Sequence, residues 1–177
     1  MNKILNYSLS DSDMMRILPH TKFTPYNEIH HLNNIEELLG LDGTAVIMYL
    51  TKERYGHWVC LFLKPDGDIS YFNSYGSEPD YEMTSRIIKP SVRIAQNEVM
   101  PHLYELICKS GRKCEYNDYK LQDENVSTCG HHVVLRIWNK HLNADEYANR
   151  LIKLAQKLRK PIDVVVSILT QNSLIKK

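Results

Sequence analysis

Apolar positions along the chain follow two rhythms. In the middle they bunch: Thr44 to Leu50, Trp58 to Leu63 and Asp68 to Phe72 predict strands, the first of them a buried one. The last two flank Lys64-Pro65-Asp66-Gly67, a strong turn signal. Toward both ends the spacing becomes helical. Ser10 to Leu18 predicts a short capped helix, followed by a loop through Pro19 and Pro25. Ile29, Leu32, Ile35, Leu38 and Leu39 have helical spacing, with Gly40 placed as the C-terminal cap. Pro101 fits the first turn of a helix that runs to Ser110 and stops at Gly111. Lys113 to Tyr119 alternates weakly, as an edge strand does. Cys129 to His141 carries Val133, Val134, Ile137 and Trp138 in the pattern of a mostly buried helix. Asp145 to Arg159 is amphipathic and ends before Pro161, and a last helix covers Pro161 to Thr170. Strands gathered in the middle with helices around them predict an α+β domain.

The turn has a consequence for chemistry. Pro suits the first loop position of a type I turn, and Gly the left-handed position that follows. A loop of Pro65, Asp66 and Gly67 pairs Lys64 with Asp68, which sets Val59 opposite Asn73 and His57 opposite Tyr75. His57 and Asn73 then share a face as diagonal cross-strand neighbours, with their backbones about 7 to 8 Å apart. Their side chains can meet. A loop one residue shorter would shift the pairing by one and put them on opposite faces. Taken singly, His57 is an ordinary strand-end histidine, Asn73 a turn residue and Trp58 a core aromatic.

Composition narrows the class of protein without naming a reaction. A chain of 177 residues is close to one domain and buries about 70% of its unfolded surface. Hydrophobic residues at 43% and charged residues at 24% are globular values and argue against disorder. The formal charge of +1 provides no bulk electrostatic reason to expect nucleic acid as the main partner. No apolar run approaches the roughly 18 residues of a membrane helix, and the polar start through Ser8 does not read as a secretory leader. Cys60, Cys108, Cys114 and Cys129 are therefore expected to be reduced thiols, and none of them forms a C-x-x-C pair.

Cys129 stands out among them. It follows Ser127-Thr128, good capping residues, and opens the apolar helix, so its sulfur falls in a first turn whose dipole favours an anion. A neighbouring imidazolium would lower the thiol pKa further and yield a thiolate ready to attack. Upstream, Gln122 has a side-chain amide able to donate to a developing oxyanion.

The ordered set Gly56-His57-Trp58-Val59, Tyr71-Phe72-Asn73-Ser74-Tyr75-Gly76, Leu121-Gln122 and Thr128-Cys129-Gly130 resembles the adenain-like and SUMO-protease-like cysteine peptidases. The likeness covers roughly residues 20 to 145 and is nearest in look to maturation proteases of virophages, Maverick-type elements and large DNA viruses. It implies a papain-like α+β fold: one peptidase domain over 1–177, with an N-terminal helical segment to 40, a catalytic core over 41–145 and C-terminal helices after it. It also implies roles. Cys129 is similar to the nucleophile and His57 to the general base. Gln122 would form the oxyanion hole with the Cys129 N–H, and Trp58 would narrow the substrate cleft in favour of Gly or small residues before the cut bond. Asn73 stands where many members carry Asp or Glu; it can still fix the histidine tautomer but supplies no charge. The implied substrate is a capsid or other structural precursor, in the virion or in the virus factory of the host cytoplasm. No metal or cofactor is called for and no membrane. Some viral members take a peptide or DNA activator.

Other readings stay open on the residues alone. The same site in some members removes ubiquitin or SUMO from host proteins. A zinc-binding adaptor would use Cys129, His131 and His132 with Cys108, Cys114 or His30-His31, although adjacent helical histidines diverge by about 100°, and a nucleic-acid adaptor would rest on basic residues. His131 and His132 otherwise read as partly buried packing residues. The basic cluster Lys153, Lys157, Arg159 and Lys160 reads as a solvated helix end.

Overall fold

In a computed structural model, residues 8–52, 55–84, 88–95 and 98–175 are described; the opening stretch read above as no leader lies outside them up to residue 7. Helix α1 (Asp11–Ile17) starts in a capping box, in which Ser10 and Asp13 satisfy each other's backbone N–H groups. Strand β1 (Lys22–Pro25) follows, in a segment expected to be loop, and pairs in parallel with β2 (Thr44–Lys52). Four residues with little alternation carry no strand signal of their own. β1 exists because β2 offers it an edge.

Between them the predicted helix is two 3-10 turns, Tyr26–His31 and Ile35–Leu38. Ile29, Leu32, Ile35 and Leu38 recur every third residue, which is the 3-10 period and not the α period. Asn34 breaks the run by accepting from the Glu37 N–H at 3.1 Å as a new cap. Gly40 caps no α-helix; a Cβ there would sit 2.2 Å from the His20 carbonyl oxygen.

The hairpin forms as its turn predicts. β3 (Tyr55–Leu63) and β4 (Ile69–Phe72) are antiparallel with Cys60 opposite Phe72 and Leu63 opposite Ile69, the expected register. Lys64 and Asp68 close the loop by an N–H to carbonyl bond of 2.8 Å, and Gly67 takes φ +86°. After the short helices α2 (Tyr81–Thr84) and α3 (Pro90–Ala95), neither expected from the sequence, come α4 (His102–Lys109) and β5 (Cys114–Tyr116). The latter is shorter than the edge strand anticipated and parallel to β4. The chain ends in α5 (Cys129–Trp138), α6 (Ala144–Leu158) and α7 (Ile162–Ile175). The sheet is mixed, in the order β1-β2-β3-β4-β5.

Its central strands are apolar on both faces, so the sheet lies between two clusters. Val46, Trp58, Cys60 and Phe72 pack with α1, α5, α6 and α7. Their neighbours Ala45, Ile47, Val59, Leu61 and Tyr71 pack with the 3-10 turns and α4. Burial at about 25 cal/mol per Å² of apolar surface holds both layers. At the far end of β3, Gly56 lies against β2 so closely that a Cβ would be 2.1 Å from the Tyr49 oxygen. Only glycine lets the strand run straight into His57 there.

Candidate active site

Strand periodicity sends Trp58 toward α5 and its neighbour His57 to the other face, shared with Asn73. There the two side chains meet: His57 Nε2 lies 2.9 Å from Asn73 Oδ1. Asn73 Oδ1 also accepts from the Tyr75 N–H at 3.0 Å, and Nδ2 donates to Glu82 Oε1 at 2.6 Å. An amide oxygen cannot donate, so neutral His57 carries its proton on Nε2 and keeps the Nδ1 lone pair. Asn117 braces the same residue, accepting from the Asn73 N–H at 3.0 Å and donating to its carbonyl at 2.7 Å.

A cleft of about 520 Å³ brings His57, Trp58, Tyr75, Gln122, Cys129 and Gly130 onto one wall system. Cys129 stands at the start of α5 as predicted, but Thr128 makes no side-chain cap there. Its hydroxyl donates to Asp163 on α7 instead. The backbone N–H groups of Trp58, Gly130 and Cys129 itself favour the anionic form of the Cys129 sulfur. Gly130 faces the N-terminal segment: a Cβ would come within 3.1 Å of Met14 Sδ and 3.3 Å of Leu9 Cβ.

Gln122 is aimed by its neighbours. Ser74 Oγ donates to Oε1 at 2.6 Å, which commits Nε2 to face away, toward the Val126 carbonyl at 2.9 Å and the Tyr75 hydroxyl at 3.3 Å. Tyr75 also stacks on the His57 ring at 4.7 Å between centroids. One tyrosine thus touches both the imidazole and the Gln122 amide. Each residue that the sequence assigns to the site (His57, Trp58, Asn73, Gln122, Cys129) lies in this cluster.

Comparison with known proteins points to the same kind of source as the motifs. Over 166 residues the chain is 31% identical to a protein of the Sputnik virophage described as uncharacterized protein V9, covering 92% of this chain and 94% of that one. This chain belongs to the virophage V9 family. No protein-family model matches it.

In this V9-family site the charge states differ from the sequence expectation. Burial pushes His57 down to about 4; the Asn73 hydrogen bond works against this, and His132 adds to it. Burial likewise pushes the Cys129 thiol up, despite the three backbone N–H groups. At neutral pH the resting pair is thiol and imidazole, not thiolate and imidazolium. A dry site penalises both charges, and Asn73 brings no charge to offset it.

His131 and His132 are buried more deeply than expected and point apart. His131 Nδ1 lies 2.6 Å from Thr170 Oγ1, and His132 Nε2 lies 3.0 Å from Asp163 Oδ1. Neither joins Cys129 in a common ligand set, and no cluster of three His, Cys, Asp or Glu suited to a metal occurs among the described residues. No helix of the described residues is long and apolar enough to cross a membrane.

Sequence reasoning missed Glu82, Asn117 and Asp163. Asp163 accepts from the Asp123 N–H at 3.0 Å as well as from His132 and Thr128. It thereby ties the residue after Gln122 to the residue before Cys129. No local signal marks these three, since each acts across the fold. Asp163 near the start of the last helix reads in sequence only as a favourable first-turn acid.

Proposed function

We propose that this chain is a cysteine endopeptidase of papain-like fold that processes viral capsid or other structural precursors during virion maturation. The observation that carries the reading is the His57 Nε2 to Asn73 Oδ1 bond of 2.9 Å, which leaves Nδ1 as a base in the cleft that Cys129 and Gln122 share. Kinship with a virophage protein supports a viral setting, the virion or the virus factory of the host cytoplasm.

The chemistry is acyl transfer. The Cys129 sulfur attacks the peptide carbonyl carbon while its proton passes to His57 Nδ1. Negative charge on the carbonyl oxygen is met by the Cys129 N–H and by Gln122 Nε2, whose 3.3 Å bond to Tyr75 is the weaker of its two and the one a substrate oxygen replaces. His57 gives the proton to the leaving amine as the C–N bond breaks, leaving a thioester. Water then attacks with His57 again taking a proton, the C–S bond breaks and the thiol is restored. Trp58, largely buried beside Gly130, crowds the cleft in a way that suits Gly or another small residue before the cut bond.

The test is incubation of the purified protein with a capsid precursor of its own virus, read by mass spectrometry. Cleavage after a small residue is expected, abolished by Cys129→Ala and His57→Ala with thermal unfolding little changed, and reduced less by Asn73→Ala. Preference for a ubiquitin–Gly-Gly fusion would move the reading to deconjugation. Failure on both substrates, with virion peptides and DNA added, would end it.

A further inference from the structure

Asn73 leaves the imidazole without the carboxylate that a charged partner would supply. A carboxylate is nonetheless present one residue further back. Glu82 Oε1 accepts from Asn73 Nδ2 at 2.6 Å, and Asn73 Oδ1 accepts from His57 at 2.9 Å, so imidazole, amide and carboxylate form one buried line. We propose that Glu82 is a positioning residue that locks the Asn73 amide, and through it holds His57 in the Nε2–H tautomer with Nδ1 free to act as the base. The consequence for turnover rests on the peptidase reading; the tautomer itself does not.

The argument is one of donors and acceptors. An amide can sit in either of two orientations that differ by exchange of O and NH2. Turning Asn73 over would set its NH2 against the Tyr75 N–H, donor to donor, and its oxygen against Glu82 Oε1, acceptor to acceptor. Both contacts become repulsive at once. The amide NH2 facing His57 would then accept nothing from Nε2, and the ring would have to donate from Nδ1, away from the task of a base. Tyr75 guards one side of the amide by its backbone, which any residue supplies. The other side depends on the identity of residue 82.

Position 82 is also an unfavourable place for a carboxyl. It is buried, and desolvation pushes it up to about 7, with Asp80 and Glu98 adding to the shift and the Asn73 hydrogen bond opposing it. A neutral residue there would relieve that cost. The helix that carries it, α2, is a single turn placed after Asp80, whose φ of +64° redirects the chain. The segment turns inward and delivers the acid to Asn73.

The experiment uses the whole chain with 15N-labelled histidine, the His57 signals being assigned from a His57→Ala sample. Wild type is expected to show the Nε2–H tautomer at pH 8, where Glu82 is ionised and can only accept. Glu82→Leu is expected to mix the tautomers and to lower kcat by about a hundredfold or more with little change in KM, a wrong tautomer costing about 10⁴ in the Ser-His-Asp setting. Glu82→Gln can still accept from Asn73 through Oε1 and should restore the tautomer, keeping kcat within about tenfold of wild type for loss of the charge alone. If the Leu variant does not fold, the pair Asn73→Asp and Asn73→Asp/Glu82→Gln decides. The single variant sets two carboxyl groups face to face and should be the less active, whereas the double variant pairs an acceptor with a donor and should recover. An unchanged tautomer in Glu82→Leu, or equal activity of the single and double variants, overturns the proposal. Peptide cleavage with an unchanged tautomer would sink the role of Glu82 alone; a tautomer that follows residue 82 in a protein that cuts nothing would sink the peptidase reading alone.

Discussion

Removing the carboxylate of Asp163 should loosen both the fold and the site. Asp163 is almost fully buried and receives three donors: the Asp123 N–H at 3.0 Å, His132 Nε2 at 3.0 Å and the Thr128 hydroxyl. Burial alone would push its carboxyl up, but the bonds from His132, Thr128 and Asp123 outweigh this and hold it below the ordinary range. Asp163→Ala strands all three donors in a dry place. Each stranded donor costs about 1 to 3 kcal/mol, and with some relaxation the total comes to about 3 to 5 kcal/mol. Against a total stability of about 5 to 15 kcal/mol that is severe. Asp163→Asn keeps an oxygen for two of the donors and turns an NH2 toward the third, so it should lose about 1 to 2 kcal/mol. Urea unfolding of the three proteins, compared through midpoints at a common slope, reads the difference. Because Asp123 adjoins Gln122 and Thr128 adjoins Cys129, Asp163→Asn should also lower kcat in conditions where it is fully folded. A loss below about 1 kcal/mol in Asp163→Ala, or equal losses in the two variants, would refute the clamp.

Two further predictions concern charge. Since burial pushes the Cys129 thiol up and His57 down to about 4, alkylation of Cys129 should climb by about tenfold per pH unit from pH 6 to 8, as a minority thiolate does. A flat rate across that range, lost in His57→Ala, would instead mean a preformed thiolate–imidazolium pair. Stability should fall as pH rises from about 5 to about 7. Glu82 and Glu98 titrate at about 7 in the fold against about 4.3 unfolded. Their raised values contribute stability that is complete below the unfolded pKa and is lost as pH climbs through the folded one. His57, depressed to about 4, has the opposite slope up to its unfolded value of about 6.5. Two carboxyls against one imidazole leave a net fall of about 1.4 kcal/mol per pH unit, and Glu82→Gln should remove most of it. Thermal unfolding at pH 5, 6 and 7 measures this; stability that rises with pH, or a Glu82→Gln protein with the wild-type slope, would contradict it.

The His57–Asn73 half of this arrangement is readable in the sequence because it hangs on local rules. Pro65-Asp66-Gly67 determines a loop length, the loop determines register, and a period of two then carries His57 to Asn73 without any knowledge of the tertiary fold. The capped start of α1 and the apolar pattern of α5 are equally local. Where spacing is ambiguous the reading fails: apolar residues three apart suggest an α-helix over 29–39 and form 3-10 turns instead.

Tertiary structure decided what depends on distant partners. β1 is a strand because β2 is beside it. Glu82 and Asp163 matter because folding delivers them to Asn73 and to the Gln122–Cys129 loop. The protonation states belong here too. Sequence places a cysteine at a helix start, and the family resemblance sets His57 beside it, which together favour a thiolate. Only burial of both groups in the assembled cleft reverses that preference, because the cost of desolvating two charges exceeds what three backbone N–H groups and a neutral amide return.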